Sequence, residues 1–229
     1  MTTVYIISAP SGSGKSTLVN EIRQLVEGLY FSISYTTRLP RGSEQNGREY
    51  FFVTRSEFEA MIQKDEFLEH AEVFGNYYGT ARRFQREAEQ TGQDLLLDID
   101  VQGAQQIKRK LPDAVSIFIL PPDRNTLERR LRTRSLDAEQ VIQRRLVTAT
   151  REIENYAKYD YILVNDRLEE SVEALKSILL AERLRHSEIQ RTADDNETLA
   201  MAERCRLNNV RERLQPILAS FVPAVPGGR

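Results

Sequence analysis

Four short runs of the chain, Val4 to Ser8, Leu95 to Ile99, Val115 to Leu120 and Tyr161 to Val164, are mostly apolar without alternation. Continuous hydrophobicity over so few residues predicts strands covered on both faces, as in a parallel sheet. Between and after them the apolar positions take helical spacing. Leu18 to Val26 ends at Gly28, Ala81 to Gln90 ends at Gly92, and Ala104 to Leu111 stops before Pro112. Glycine or proline just past the last periodic residue is a helix stop signal. Arg124 to Arg134, Glu139 to Ala157 and Leu168 to Leu184 complete the predicted helices. Strands alternating with helices predict an α/β fold with a parallel β-sheet flanked by helices.

Residues 31 to 80 break this rhythm. Phe31 to Tyr35, Tyr50 to Val53 and Phe67 to Ala71 are shorter, alternating segments around one short helix, which Ser56 and Glu59 are expected to open as a capping box. The stretch reads as a small, mixed and mostly antiparallel insertion in the parallel core. From Leu199 the apolar residues Leu199, Ala202, Val210, Leu214, Ile217 and Phe221 again have roughly helical spacing, with Pro216 expected to kink or restart the helix. The last seven residues, Pro223 to Arg229, are expected to fray.

Composition narrows the function without naming it. The 229 residues suffice for one large domain, or one domain with an appendage. No apolar run reaches the ~18 residues of a membrane helix, and Met1 to Ile7 lack the basic start of a secretory leader. The one cysteine, Cys205, excludes a disulfide framework and a cysteine zinc site, and its expected role is that of a small hydrophobe. A cytoplasmic protein is expected. With 32 basic against 34 acidic residues there is no global field to recruit nucleic acid or an anionic membrane, so neither is expected as a partner. Most of the basic residues are arginine, whose planar fork grips phosphate and carboxylate bidentately.

The chemistry begins at Ala9-Pro10-Ser11-Gly12-Ser13-Gly14-Lys15-Ser16, which follows a predicted strand and precedes a predicted helix. That context is the one the phosphate-loop pattern requires. Small residues let backbone N–H groups turn inward on phosphates, Lys15 neutralises them, and the Ser16 hydroxyl takes a Mg²⁺ position. Ala9 replaces the first glycine of the pattern, at the widest part of the loop, where one methyl is tolerable. Asp98 and Asp100 lie at the C-terminal end of a predicted strand, the ligand edge of an open α/β sheet. Asp98 is the candidate for orienting Mg²⁺ or its waters. Position alone leaves Asp100 either a ligand or the cap of the next helix.

A phosphate loop leaves a switch, a motor and a kinase open. Ser34-Tyr35-Thr36-Thr37-Arg38-Leu39-Pro40-Arg41, Gly47-Arg48-Glu49-Tyr50-Phe51-Phe52, Glu69, Gly75-Asn76-Tyr77-Tyr78-Gly79-Thr80 and Asp98-Ile99-Asp100-Val101-Gln102-Gly103 resemble, in order and spacing, the successive blocks of guanylate kinases. The resemblance runs from about Thr3 to about Arg185. It implies transfer of the ATP γ-phosphoryl group to GMP for purine nucleotide metabolism. The implied fold is a P-loop kinase core over residues 1–185, with a GMP-binding insertion at 34–80, a helical lid at 123–151, and a C-terminal extension at 186–229 of no stated role. Carried over residue by residue, Ser34, Glu69, Thr80 and Asp100 would contact guanine, and Arg38, Arg41, Tyr50 and Tyr78 would hold the GMP phosphate. These residue types match the ligand's chemistry, since guanine presents N1–H and its 2-amino group to a carboxylate, and its O6 to a hydroxyl donor.

The resemblance also assigns Arg134 and Arg145 to the lid, closing on the phosphates, and places Asn165 beside the adenine, although at a strand end Asn165 could equally cap a turn. Ser135-Leu136 stands where the family usually has Gly-Thr. ATP, GMP and Mg²⁺ are the implied ligands; dGMP as acceptor and the oligomeric state stay open. A phosphate acceptor with a pKa near ~6 needs no general base, in keeping with His70 and His186 lying in no catalytic pattern. An interaction scaffold of the same class would lack ATP chemistry, which the intact Gly14-Lys15-Ser16 argues against; a kinase for another small metabolite would lack the guanine set.

Overall fold

The computed structural model describes residues 2–134, 139–187 and 190–222. The elements run in chain order β1 (Val4–Ser8), α1 (Lys15–Leu25), β2 (Leu29–Ser32), β3 (Tyr35–Thr36), β4 (Phe51–Phe52), α2 (Arg55–Gln63), β5 (Phe67–Val73), β6 (Asn76–Ala81), α3 (Arg82–Thr91) and β7 (Asp94–Asp98). They continue with α4 (Val101–Lys110), β8 (Val115–Leu120), α5 (Arg124–Arg134), α6 (Glu139–Ile153), a 3₁₀ turn at Tyr156–Lys158, β9 (Tyr161–Val164), α7 (Leu168–Arg185), α8 (Ala193–Arg204) and α9 (Leu207–Phe221). The core strands lie in the order β2-β7-β1 in one compact unit and β8-β9 in the other, and four strands form a second sheet in the order β4-β3-β6-β5.

The first of two compact units comprises Met1–Ser8 and Arg23–Ser116. In it β7 pairs in parallel with β1 and with β2. Leu95, Leu96 and Leu97 are fully buried, as a strand covered on both faces requires. The second sheet is mixed. β6 runs antiparallel to both β3 and β5, while β3 and β4 are parallel. Behind it Phe58 of α2 stacks on Phe67 and Tyr77, with ring centroids 4.4 and 5.2 Å away.

The second unit comprises Ala9–Ile22 and Ile117–Arg229. Here β8 and β9 pair in parallel, and α6 buries Ile142, Leu146, Ala149 and Ile153 along one face. The C-terminal residues pack on this unit. Ile162 N–H donates to Cys205 O at 2.8 Å and Leu207 N–H to Asp160 O at 3.1 Å, so the link between α8 and α9 covers the edge of β9. A covered edge cannot template pairing with another chain. The Arg206 guanidinium lies 4.7 Å from the Tyr161 ring and pairs with buried Glu182 at 3.0 Å. Cys205 sits here, and burial pushes its thiol pKa up, as suits a packing residue rather than a nucleophile.

Three local expectations need correction. The cap of α2 is Thr54 with Glu57, not Ser56 with Glu59: Thr54 Oγ1 accepts from Glu57 N–H at 3.2 Å while Thr54 N–H donates to Glu57 at 2.7 Å. The capping pattern occurs twice in Thr54-Arg55-Ser56-Glu57-Phe58-Glu59, and the extended backbone of Thr54 decides between the two. Phe31 belongs to the core sheet through β2, because alternation cannot say which sheet a strand joins. The helix expected to reach Ala157 ends at Ile153, where Asn155 Nδ2 donates to the terminal carbonyl of Arg151 at 3.0 Å. Pro216 lies inside α9 without ending it. It faces solvent, so the Glu212 carbonyl that loses its N–H donor is open to water. Among the described residues, no helix is long and apolar enough to cross a membrane.

Candidate active site

The phosphate loop occupies residues 9–16 of the second unit. Gly12 and Gly14 have φ of 91° and 88°, the left-handed region in which a side chain is strained. Both are also closely approached. A methyl on Gly12 would meet Leu131 at 2.9 Å and Leu127 at 3.0 Å from α5, and one on Gly14 would meet Asn165 Nδ2 at 2.3 Å. Ala9 is buried. Pro10 O accepts from Ser13 N–H at 3.1 Å and Gly14 O from Leu18 N–H at 3.2 Å, closing the loop onto α1. Lys15 is the first residue of α1 and half-buried; Ser16 follows it, exposed. Ser13 is fully buried, and its hydroxyl has no hydrogen-bond partner among the described residues. Backbone N–H groups at a helix start, held by glycines, make an anion cradle.

Two distant residues fasten the loop. Buried Asn165 donates from Nδ2 to Ser13 O at 2.7 Å while its own N–H bonds Leu120 O. Of the two readings of Asn165, neither describes this contact: the side chain braces the loop from the end of β9. Arg145 of α6 donates to Ser11 Oγ at 2.7 Å. Arg134 closes α5, and its side chain, with Ser135-Leu136, lies outside the described residues. Arg132 is a structural residue of this segment, paired with Glu128 and Glu139, both at 2.6 Å.

The other residue set belongs to the first unit. Glu69 on β5 faces Thr80 on β6 across the antiparallel ladder, and Thr80 Oγ1 donates to Glu69 Oε1 at 2.7 Å. Both are buried, Glu69 to 4% exposure, which excludes a solvated strand position. Burial pushes its carboxyl pKa up to about 7 against the hydrogen bonds from Thr80, and the Asp100 charge adds to the rise while that of Lys110 opposes it. Gly103 leaves room for this carboxylate, since a methyl there would come within 2.5 Å of Glu69 Oε2. Asp100 caps α4, accepting from Gly103 N–H at 2.8 Å. The cap uses one carboxylate oxygen, so the second is compatible with a ligand role. Asp98 ends β7, opposite Ile7 of β1, and is half-buried.

Ser34 lies between β2 and β3, its carbonyl bonded to Phe51 N–H at 2.9 Å. The Tyr50 and Tyr78 rings meet edge to face at 5.9 Å, and the Arg38 guanidinium lies 5.3 Å from the Tyr50 ring and 5.8 Å from Phe52. Arg38 forms a bidentate pair with Glu44 at 2.9 and 3.0 Å, and Arg41 N–H donates to the same carboxylate at 2.7 Å. Glu44 and Gly103 are the two residues that sequence reasoning passed over. A glycine in the first turn of a helix, where propensity disfavours it, was the available signal for Gly103. For Glu44 there was only its spacing of three from Arg41 and six from Arg38.

A family model described as guanylate kinase matches residues 1–182. A guanylate kinase of Koribacter versatilis (strain Ellin345) is 62% identical over 225 residues, covering 97% of this chain and 97% of that protein. The guanylate kinase of Escherichia coli (strain K12) is 53% identical over 188 residues, 81% of this chain and 90% of its own. Among solved structures, guanylate kinase from Anaplasma phagocytophilum superposes over 93% of this chain and 94% of that one, with a TM-score of 0.67 and 33% identity.

Proposed function

The chain belongs to the guanylate kinase family, and from that premise we propose the residue roles by which it transfers the γ-phosphoryl group of ATP to GMP, giving ADP and GDP. The enzyme is an ATP:GMP phosphotransferase. The observation that carries the GMP side is the buried Glu69 carboxylate held by Thr80 with Gly103 against it. Ionised, it accepts both guanine N1–H and the 2-amino group, while Ser34 donates to O6 and Thr80, whose hydroxyl hydrogen goes to Glu69, holds the carboxylate beside the base. Adenine offers N1 as an acceptor where guanine offers a donor, so AMP would set its N1 against the buried Glu69 carboxylate with no hydrogen between them, a mismatch that sites of this kind reject strongly. Asp100 supplies a further acceptor. Arg38, Arg41, Tyr50 and Tyr78 take the GMP phosphate, whose two charges match the two guanidinium groups.

On the ATP side, the backbone of residues 9–16 and Lys15 cradle the transferred phosphates, and Asn165 supports that loop beside the nucleotide. A Ser16 hydroxyl and an Asp98 carboxylate suit Mg²⁺, which prefers oxygen ligands, keeps several waters and leans on substrate phosphates. Among the described residues no group of three or more histidine, cysteine or acidic side chains could hold a metal alone, so the donor set fits an ion carried by the nucleotide. When bound, the ion neutralises charge on the phosphates. The attacking GMP oxygen is already ionised at neutral pH, so catalysis rests on alignment and charge neutralisation by Lys15, Arg38, Arg134 and Arg145. Residues 123–151 serve as the lid that excludes water, residues 34–80 bind GMP, and the link between α8 and α9 braces β9. A cytoplasmic location is consistent with the single cysteine, which calls for no oxidising compartment.

A coupled ADP-release assay across GMP, dGMP, AMP, CMP and UMP tests the base assignment. Turnover is expected with GMP and, if the sugar is not read, dGMP. Comparable turnover with AMP would remove Glu69 from its role.

A further inference from the structure

We propose that Glu44 is a positioning residue for the reaction, a carboxylate that aligns Arg38 and Arg41 for the GMP phosphate without touching the substrate itself. The inference rests on the phosphate-binding role proposed for the two arginines. Its own basis is the geometry of the loop after β3. Glu44 Oε2 accepts from one terminal nitrogen of Arg38 at 2.9 Å and Oε1 from the other at 3.0 Å, so the carboxylate grips the guanidinium end-on. The first of those nitrogens also donates to Leu39 O at 2.7 Å. Side-chain exposure is 11% for Arg38 and 23% for Glu44, so the pair is sheltered enough to hold one geometry. Glu44 Oε2 also accepts from Arg41 N–H at 2.7 Å, and Glu44 N–H donates back to Arg41 O at 3.0 Å. One carboxylate thereby fixes the backbone at one arginine and the side chain of the other.

A guanidinium offers five N–H donors on two usable edges. The end-on pairing with Glu44 consumes the edge between the two terminal nitrogens. The edge formed by Nε–H and one terminal N–H lies outside that pairing and can meet a phosphate side-on, through two parallel hydrogen bonds. Tyr50 and Phe52 lie beside the guanidinium, and the Tyr78 ring meets that of Tyr50 edge to face. Tyr50 and Tyr78 are the hydroxyls proposed for the same phosphate, so holding Arg38 among them assembles the phosphate pocket before GMP arrives. Arginine otherwise carries a large rotamer entropy that binding would have to remove. A carboxylate near a phosphate also repels it, which makes the sign of the effect the decisive reading. The two groups are the attractive partner and the competitor of the same arginine, and only one of those roles can dominate.

Glu44→Gln keeps the size and removes the charge and one acceptor. Equilibrium binding of GMP and of guanosine is measured on the full-length protein, with Arg38→Ala and the double variant alongside and thermal unfolding as the control for folding. GMP affinity is expected to fall roughly tenfold or more, as for loss of a charge-assisted hydrogen-bonded pair. Guanosine, which lacks the phosphate, is expected to bind as to the parent protein. In the Arg38→Ala background the loss caused by Glu44→Gln is expected to shrink, because its route of action is gone. Tighter GMP binding in Glu44→Gln would make the carboxylate a competitor and overturn the proposal. Equal losses for GMP and guanosine would overturn it in favour of general support of the insertion, as would fully additive losses in the double variant. Unchanged GMP binding in Glu44→Gln beside a large loss in Arg38→Ala would overturn this proposal alone, whereas unchanged binding in Arg38→Ala would overturn the phosphate assignment beneath it.

Discussion

In the phosphate loop, the groups that would cradle a phosphate are contiguous: residues 9–16 supply the glycines, the lysine and the hydroxyl in one strand-to-helix turn. The guanine and GMP-phosphate residues come instead from β5, β6, the loops around β3 and β4, and the start of α4. The two regions also differ in electrostatics. The loop uses backbone N–H groups and a lysine, whose attraction for anions needs no partner elsewhere. The Glu69 carboxylate works only because a second strand supplies Thr80 and a distant glycine leaves it space. A contiguous site depends on local backbone geometry, and a dispersed one on register. Errors of register are therefore more damaging to the second, since a slip of one residue would turn Thr80 away from Glu69.

The largest effect expected from testing this contrast is at the loop. Lys15→Ala should lower turnover by at least about 10²–10³-fold, the cost of removing one group that stabilises developing charge, while leaving equilibrium GMP binding intact. Steady-state kinetics with GMP binding measured in parallel would show it; parent-like turnover would dismantle the loop's assignment.

The next effect separates the base pocket from the loop by pH. Glu69 titrates near pH 7 in the free protein, and guanine requires its ionised form. Below pH 7 the proton must leave on binding, so guanosine affinity should fall about tenfold per unit from pH 7 to pH 5. Guanosine is the better probe than GMP, whose phosphate titrates near ~6 by itself. A flat profile over that range would exclude Glu69 as the acceptor. The raised pKa also means that the fold holds this proton more tightly than the unfolded chain does. Its contribution to stability is present below the usual carboxyl range and is lost as pH rises through about 7.

The smallest effect controls for stability. Thr54→Ala removes the cap of α2, in the same sheet-and-helix insertion but in neither set of ligand residues. It should cost about 1 kcal/mol, seen as a lower Tm, with the Michaelis constant for GMP unchanged. A large rise in that constant would show that the GMP site responds to stability rather than to chemistry at Glu69 and Arg38.

Much of the fold was readable because burial writes itself into the sequence at short range. β1, β8 and β9 coincide with their apolar runs, and α5 with its predicted span. The failures share a physical origin. Thr54 and Ser56 offer equivalent capping patterns, and the path of the chain chooses between them. Leu29–Ser32 has no local feature that assigns it to the core sheet rather than the insertion. The bond from Asn165 to Ser13 O likewise has no local signal, because its partner is 152 positions away in the chain.

The sequence by itself determined the alternation of strands and helices, the phosphate loop and, through its spaced blocks, the family. These signals are local, set by periodicity, glycine conformations and the order of short motifs. Only the tertiary structure decided that Glu69 is buried against Thr80 and Gly103, that Glu44 holds Arg38 and Arg41, and that the C-terminal residues cover the edge of β9. The reason is that a carboxylate's burial and a guanidinium's partner are properties of the surroundings, and segments far apart in the chain supply those surroundings.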